Sequence, residues 1–224
     1  MYSPILMKRS MKYGNNYWVS YSPKMKRNIR LFSDLEYDHW VIIETNPSIV
    51  AFCEQPLRIQ QVIGNEKVES VFDMWILNKV GAETFVEIKY AKELEPSNPK
   101  YGRVVRQTSA QKMWCTERGF SHSVQTDADI RKNSIYLSNL KQILAHVKNN
   151  PDRIETDEYV VRQYLSQGKS TLQQLCNQIT KIPAHRVKEA AFRLIYYGVL
   201  AAAIDSHIIN HQTEVWILDE KTND

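Results

Sequence analysis

A chain of 224 residues, 43% hydrophobic and 24% charged, has the composition of an ordinary globular protein of one domain, or one domain with a small appended module. Seven Gly and eight Pro exclude low-complexity segments, and no apolar run reaches the roughly 18 residues of a membrane span. The start, "MYSPILMKRSMKYG", lacks the apolar core of a secretory signal, and Cys53, Cys115 and Cys176 are odd in number and scattered, so a reduced, cytoplasmic setting is expected rather than a disulfide framework or a Cys-rich zinc site.

The net charge of +4 is unevenly spread. Residues 1–30 carry Lys8, Arg9, Lys12, Lys24, Lys26, Arg27 and Arg30 with no acid, and Tyr13, Tyr17, Trp18 and Tyr21 lie among them. Basic and aromatic side chains together suit phosphate contacts and stacking on bases, so this stretch is expected to be a basic arm touching DNA; a solvated leader is the alternative. Residues 151–224 hold eight Lys and Arg against ten Asp and Glu, which concentrates the positive field at the front of the chain.

In chain order, "FSDLEYDHWVIIETNPS" opens with Ser33 and Glu36 at capping-box spacing and predicts a helix ending near Asn46, with Leu35, His39, Ile42 and Ile43 inward. "IVAFCEQP" predicts a strand ended by Pro56. Alternation and the turn signals Gly64-Asn65 and Gly81-Ala82 then predict a meander of strands near 57–63, 67–77 and 84–90. A loop leads to a helix over 103–118 that stops at Gly119, followed by a strand at "FSHSVQ" and one capped helix at "DADIRKNSIYLSNLKQILAHV". This order describes an α/β fold, a mixed sheet flanked by helices, over 31–148.

Past a boundary near "KNNPDRI", residues 149–224 read as a winged helix. Ser170 is expected to cap a helix bearing Leu172, Leu175 and Ile179, and Pro183 to open a second that Gly198 ends. Strands near 199–204 and 213–218 close the module. His185, Arg186, Lys188 and Arg193 are expected on the exposed face of the second helix, but the acidic balance favours protein docking over DNA reading. His207 and His211, without a third ligand, read as surface residues.

Chemistry concentrates at "FVEIKY". Glu87 and Lys89 share one face of a strand, with Val86, Ile88 and Tyr90 on the other. Asp73 lies 14 residues before Glu87 with a hairpin turn between, so the two carboxylates can approach. Paired hard oxygen ligands suit Mg²⁺, with Mn²⁺ as a substitute, and Lys89 can face the same phosphate. Glu36 is a candidate third carboxylate. The alternatives are a capping role for Glu36, a turn role for Asp73 and surface charge for Glu87 and Lys89. Gln107, Gln111 and Lys112, on the following helix, read as candidate DNA contacts or as a solvated face.

The segments "FSDLEYDHWVIIETNPSIVAFCEQP", "VFDMWI" and "FVEIKY" together resemble the N-terminal domain of the TnsA family, the endonuclease subunits of heteromeric transposases. Most distinctive are the S-D-L-E-x-D helix and the E-Q-P run after it. The resemblance implies a restriction-endonuclease-like, PD-(D/E)xK fold, with Glu36, Asp73, Glu87 and Lys89 in the catalytic positions and Glu36, Asp73 and Glu87 as metal ligands. It further implies Mg²⁺-dependent hydrolysis at the transposon's 5′ ends. An RNase H-like transposase subunit (TnsB-like) is expected to process the 3′ ends, and an AAA+ ATPase regulator (TnsC-like) to be engaged through the C-terminal domain. Some family members carry Gln at the place of Glu87, and Phe72 stands where the family has a proline. A stand-alone restriction or repair nuclease, and a non-catalytic winged-helix DNA-binding regulator, are the rival readings.

Overall fold

The computed structural model describes residues 1–5, 16–150 and 152–218, and it divides into two units. The first comprises Met1–Ile43 and Ser48–Lys132, the second Glu44–Pro47 and Asn133–Asp224.

The stretch that charge alone marks as an arm is, from Trp18 onward, a hairpin. Strands β1 (Trp18–Ser22) and β2 (Arg27–Leu31) pair antiparallel, with Trp18 opposite Leu31. Alternation orients them: Ser20, Ser22, Ile29 and Leu31 are buried, while Val19, Tyr21, Asn28 and Arg30 are exposed. Ahead of the hairpin, the Tyr2 ring meets Trp75 and Phe85 edge-on, and the Ile5 N–H donates to the Gln55 carbonyl. Lys8 and Arg9 lie outside the described residues.

Helix α1 (Asp34–Thr45) starts where Ser33 Oγ accepts the Glu36 N–H at 3.1 Å. Acidic Asp34 and Glu36 occupy its first turn, where the helix dipole favours negative charge. Its burial is wider than the expected stripe. Leu35, His39 and Ile43 are buried as anticipated, but so are Asp38, Trp40 and Val41, and Ile42 is only partly covered. Asp38 is held by Arg131 at 2.6 Å.

The next strands are β3 (Ile49–Glu54), β4 (Arg58–Ile63), β5 (Glu66–Val71), β6 (Met74–Asn78) and β7 (Glu83–Lys89). After a short 3₁₀ turn come α2 (Tyr101–Glu117) and β8 (Ser121–Thr126). The meander is corrected: the expected strand over 67–77 breaks at Phe72-Asp73, and β4 and β5 form a separate hairpin. The main sheet runs β3-β6-β7-β8, antiparallel except for the parallel β7–β8 pair. The break follows from register. Glu54 pairs with Met74, but the next pair is Arg58 with Val71, so three residues on one strand face two on the other. That extra residue is a bulge, formed where Gln55 has a φ of +40° and Pro56 has no N–H to give.

Under the sheet, Phe72, Trp75 and Phe85 form the aromatic core with Ala51, Cys53, Ile59 and Cys115. Trp114 of α2 packs on Phe72 and Phe85, at ring-centroid distances of 5.7 and 5.4 Å. Burying such rings contributes roughly 1.5–3 kcal/mol each, which anchors α2 across β7. A mixed sheet flanked by helices fits the restriction-endonuclease-like arrangement.

The single helix expected after β8 is two, α3 (Asp127–Ile130) and α4 (Ser134–Asn149). Thr126 caps the first, and Asn133 accepts the Tyr136 N–H at 2.9 Å to start the second. The boundary between units therefore falls at Lys132–Asn133, not near 148, because the apolar face of α4 packs on a helix of the second unit.

That second unit adds α5 (Glu155–Leu165), where the sequence reading assigns no element, then β9 (Ser170–Thr171), α6 (Leu172–Gln178) and α7 (Ala184–Tyr196). Strands β10 (Leu200–Ala202) and β11 (Glu214–Ile217) complete a three-stranded sheet in the order β10-β11-β9. Thr171, not Ser170, caps α6, sharing a capping box with Gln174, and Pro183 sits at the cap of α7. The α7 end is a Schellman turn: Val199 N–H donates to the Leu194 carbonyl and Gly198 N–H to that of Ile195. Of the cationic face expected on α7, His185 is exposed and Lys188 half-buried, but both arginines are engaged. Arg193 is 6% exposed and donates to the Asn150 carbonyl, and Arg186 grips Asp157 with two bonds of 2.7 Å.

Candidate active site

Strand β7 lies between β6 and β8, so it is interior to the sheet and its charges are not those of an edge. Phe85, Glu87 and Lys89 share the face toward α2, and along it the strand passes from aromatic core to buried acid to partly covered ammonium. Glu87 is 1% exposed, and a carboxylate buried that deeply needs a full set of donors. Lys89 Nζ and Gln107 Nε2 donate to its Oε1, the latter at 2.7 Å, while Gln111 Nε2 donates to Oε2 at 2.6 Å. Both glutamine amides also reach Ser70 Oγ, at 3.1 and 3.0 Å, and His122 Nε2 lies 3.3 Å from Gln111 Oε1.

Asp73 stands at the sheet break. Its N–H donates to the Val86 carbonyl and its own carbonyl accepts from Gln55, so its backbone bridges both neighbouring strands. Met74 pairs with Val86, which puts Asp73 opposite Glu87 one step on. Its carboxylate Oδ2 accepts the Ile88 N–H at 2.7 Å. Burial pushes the Asp73 carboxyl well above the usual carboxylate range, and the negative charges of Glu87 and Glu36 push it further against Lys89 and the Ile88 N–H.

Glu36 enters from α1. Its Oε2 accepts the Phe32 N–H at 2.9 Å, its Oε1 accepts Ser33 Oγ–H at 3.1 Å, and Gln55 Nε2 lies 3.5 Å from Oε2. The carboxylate thus completes the cap at Phe32 rather than at Ser33 and still lies within the field of the other acids. Burial raises its pKa, the two cap donors oppose that, and Glu87 adds to it. For Lys89, burial acts to lower the pKa, but Glu87 and Asp73 outweigh it and hold the group above the ordinary lysine value.

The structure brings Glu36, Asp73, Glu87 and Lys89 into one electrostatic cluster, three carboxylates against one ammonium. Such a donor set, all hard oxygens with excess negative charge, fits a divalent cation of the Mg²⁺ or Mn²⁺ kind. Among the described residues, no three His, Cys, Asp or Glu side chains are already closed into a metal-binding group. An Mg²⁺ site that relies on substrate phosphate and water needs only one or two protein carboxylates.

The expected DNA contacts separate by environment. Lys26, Arg30 and Lys112 are exposed. Lys24 donates to the Ile43 carbonyl at 3.0 Å, and Arg27 is clamped on buried Glu54 at 2.7 and 2.6 Å. Gln111 is a correction: it is 0% exposed and its amide is spent on Glu87, so it is no backbone contact. Sequence reasoning missed Ser70, His122 and Gln55 as neighbours of the site. Only Gln55 carries a local signal, its place between a buried acid and a proline.

Residues 46–127 match the family model described as TnsA-like endonuclease N terminal. The matched segment, which holds Asp73, Glu87, Lys89 and both glutamines, is thus similar to the N-terminal domain of TnsA-like endonucleases. No curated protein matches the chain. Among the described residues, no helix is long and apolar enough to cross a membrane.

Proposed function

We propose that the chain is the DNA endonuclease subunit of a heteromeric transposase, hydrolysing the 5′ ends of the transposon with Mg²⁺, or with Mn²⁺ in its place. The observation that carries this reading is Asp73 one step beyond the Met74–Val86 pair, opposite buried Glu87, with Lys89 beside them and partly buried Glu36 in the same field. Asp73 and Glu87, with Glu36 as the third, would hold the cation, which would polarise the scissile phosphate and neutralise part of its charge. Lys89, kept as an ammonium by Glu87 and Asp73, acts as a hydrogen-bond donor to charge developing on the phosphate, and not as a base. Exposed Lys26, Arg30 and Lys112 would meet the DNA backbone, with Lys8 and Arg9 assigned the same role from sequence.

The second unit is read as a winged helix on its helix–helix–hairpin order and three-stranded sheet. A DNA-reading helix would offer its cations to a groove, whereas α7 has Arg186 and Arg193 tied to Asp157 and Asn150. That favours a protein partner, the AAA+ ATPase regulator, for this unit. An RNase H-like transposase subunit would cut the other strand.

The test is 5′-end cleavage of a transposon-end duplex by the purified chain together with transposase and ATPase. Wild type should nick in Mg²⁺, while Asp73→Ala and Lys89→Ala lose at least about 100-fold of the rate. Undiminished nicking by either variant would sink the reading. Cutting at defined sites by the chain alone would favour the stand-alone nuclease.

A further inference from the structure

We propose that Gln107 and Gln111 are positioning residues, which hold the Glu87 carboxylate in one orientation and leave a single acceptor site on its Oε2 open toward the reaction centre. This rests on the metal-dependent nuclease reading of the same site. The two glutamines are four residues apart on α2 and so share one helix face. That face is otherwise apolar and buried, with Val104 and Cys115 on it, and amphipathic logic calls for aliphatic side chains there. Two amides instead point at one acid.

Their bonds are specific in number as well as direction. Glu87 Oε1 accepts from Gln107 and from Lys89, which fills both of its lone pairs. Glu87 Oε2 accepts from Gln111 alone among the described residues. The amides cannot flip without setting oxygen against carboxylate. Ser70 Oγ takes a bond from each amide nitrogen, and His122 engages the Gln111 oxygen from behind. The strand face therefore presents Glu87 with its plane fixed by α2, β5 and β8 together. A carboxylate that must meet a cation opposite Asp73 gains from such fixing, because rotation about its last torsion is otherwise broad.

The experiment measures Mn²⁺ affinity by calorimetry and the Mn²⁺ electron-spin spectrum of the full chain with transposon-end DNA, for wild type, Asp73→Ala, Gln107→Leu and Gln111→Met. Cooperative thermal melting is checked for each variant. Gln107 is only partly buried, so its variant folds even where the Gln111 variant does not. Each glutamine variant is expected to bind Mn²⁺ about 10- to 100-fold more weakly than wild type and to alter the spectrum while still melting cooperatively. Wild-type affinity and spectrum in a folded Gln107→Leu, with binding lost in Asp73→Ala, would overturn the positioning role and leave the nuclease reading intact. No Mn²⁺ binding by wild type with DNA would overturn both.

Discussion

Glu87 survives in the interior because three of its four acceptor sites are met nearby, by an ammonium and two amide donors with a hydroxyl behind them. His39 is the opposite case. It is 5% exposed on α1, its Nδ1 has no partner among the described residues, and burial pulls its pKa down to about 4. The folded state therefore holds a neutral imidazole where the unfolded chain protonates near pH 6.5. Above that pH both states are neutral and the residue contributes nothing to pH dependence. As pH falls through the window from 6.5 to about 4, only the unfolded chain gains the proton, which costs roughly 3 kcal/mol of stability by its end. Urea midpoints at pH 7 and pH 4.5 should show this loss in wild type and a clearly smaller one in His39→Leu. Equal losses would mean that His39 ionises freely in the fold. The nearness of Asp73, Glu87 and Lys89 was legible from spacing, whereas Glu36 read equally as a capping residue, a part it also plays in the fold. Gln111 was visible but misread, since nothing local tells whether a helical glutamine faces solvent or a buried acid.

At the scale of elements, ends and breaks matter more than middles. The Gln55-Pro56 bulge shifts the pairing by one residue and sends β4 and β5 out of the main sheet, which leaves Asp73 at a corner where its carboxylate reaches the Ile88 N–H. Continuous alternation through "VESVFDMWI" conceals that corner, so the meander expected there could not be corrected from local pattern. In the second unit, Gly198 ends α7 with a φ of +72°, and a Cβ added there would lie 2.5 Å from Pro47 Cβ. Both the backbone conformation and the contact forbid a side chain. Gly198→Ala should destabilise the protein by about 1–3 kcal/mol, read as a lower urea midpoint at unchanged slope. A midpoint equal to wild type would show that Pro47 yields and the turn relaxes.

At the scale of the molecule, the basic front of the sequence leaves Lys26 and Arg30 exposed on the β1–β2 hairpin, in a row where Arg30 lies across from Val19 beside Tyr21 and Asn28. If DNA lies on that row, Arg30→Ala should weaken binding of any duplex alike and lower the slope of log affinity against log salt by about 1. Fluorescence titrations between 50 and 200 mM salt, on the order of the range over which such contacts are lost, measure it. An unchanged slope would place the DNA elsewhere. The likeness of residues 46–127 to TnsA-like endonucleases was readable from the E-Q-P run, "VFDMWI" and "FVEIKY". The division of the chain was not, since whether α4 belongs to one unit or the other is decided by which apolar face it meets.

The sequence by itself determined most of the helices and strands around the site and the shared face of Glu87 and Lys89, because these depend on periodicity and spacing along the chain, and it carried the likeness of residues 46–127 to TnsA-like endonucleases. Tertiary structure decided that β7 is interior, that Gln107 and Gln111 close on Glu87, and that Arg186 and Arg193 of α7 are already spent on Asp157 and Asn150. Those outcomes turn on which residues distant in sequence come within hydrogen-bond reach. Hydrophobic burial sets that distance, and the pattern of any one segment does not record it.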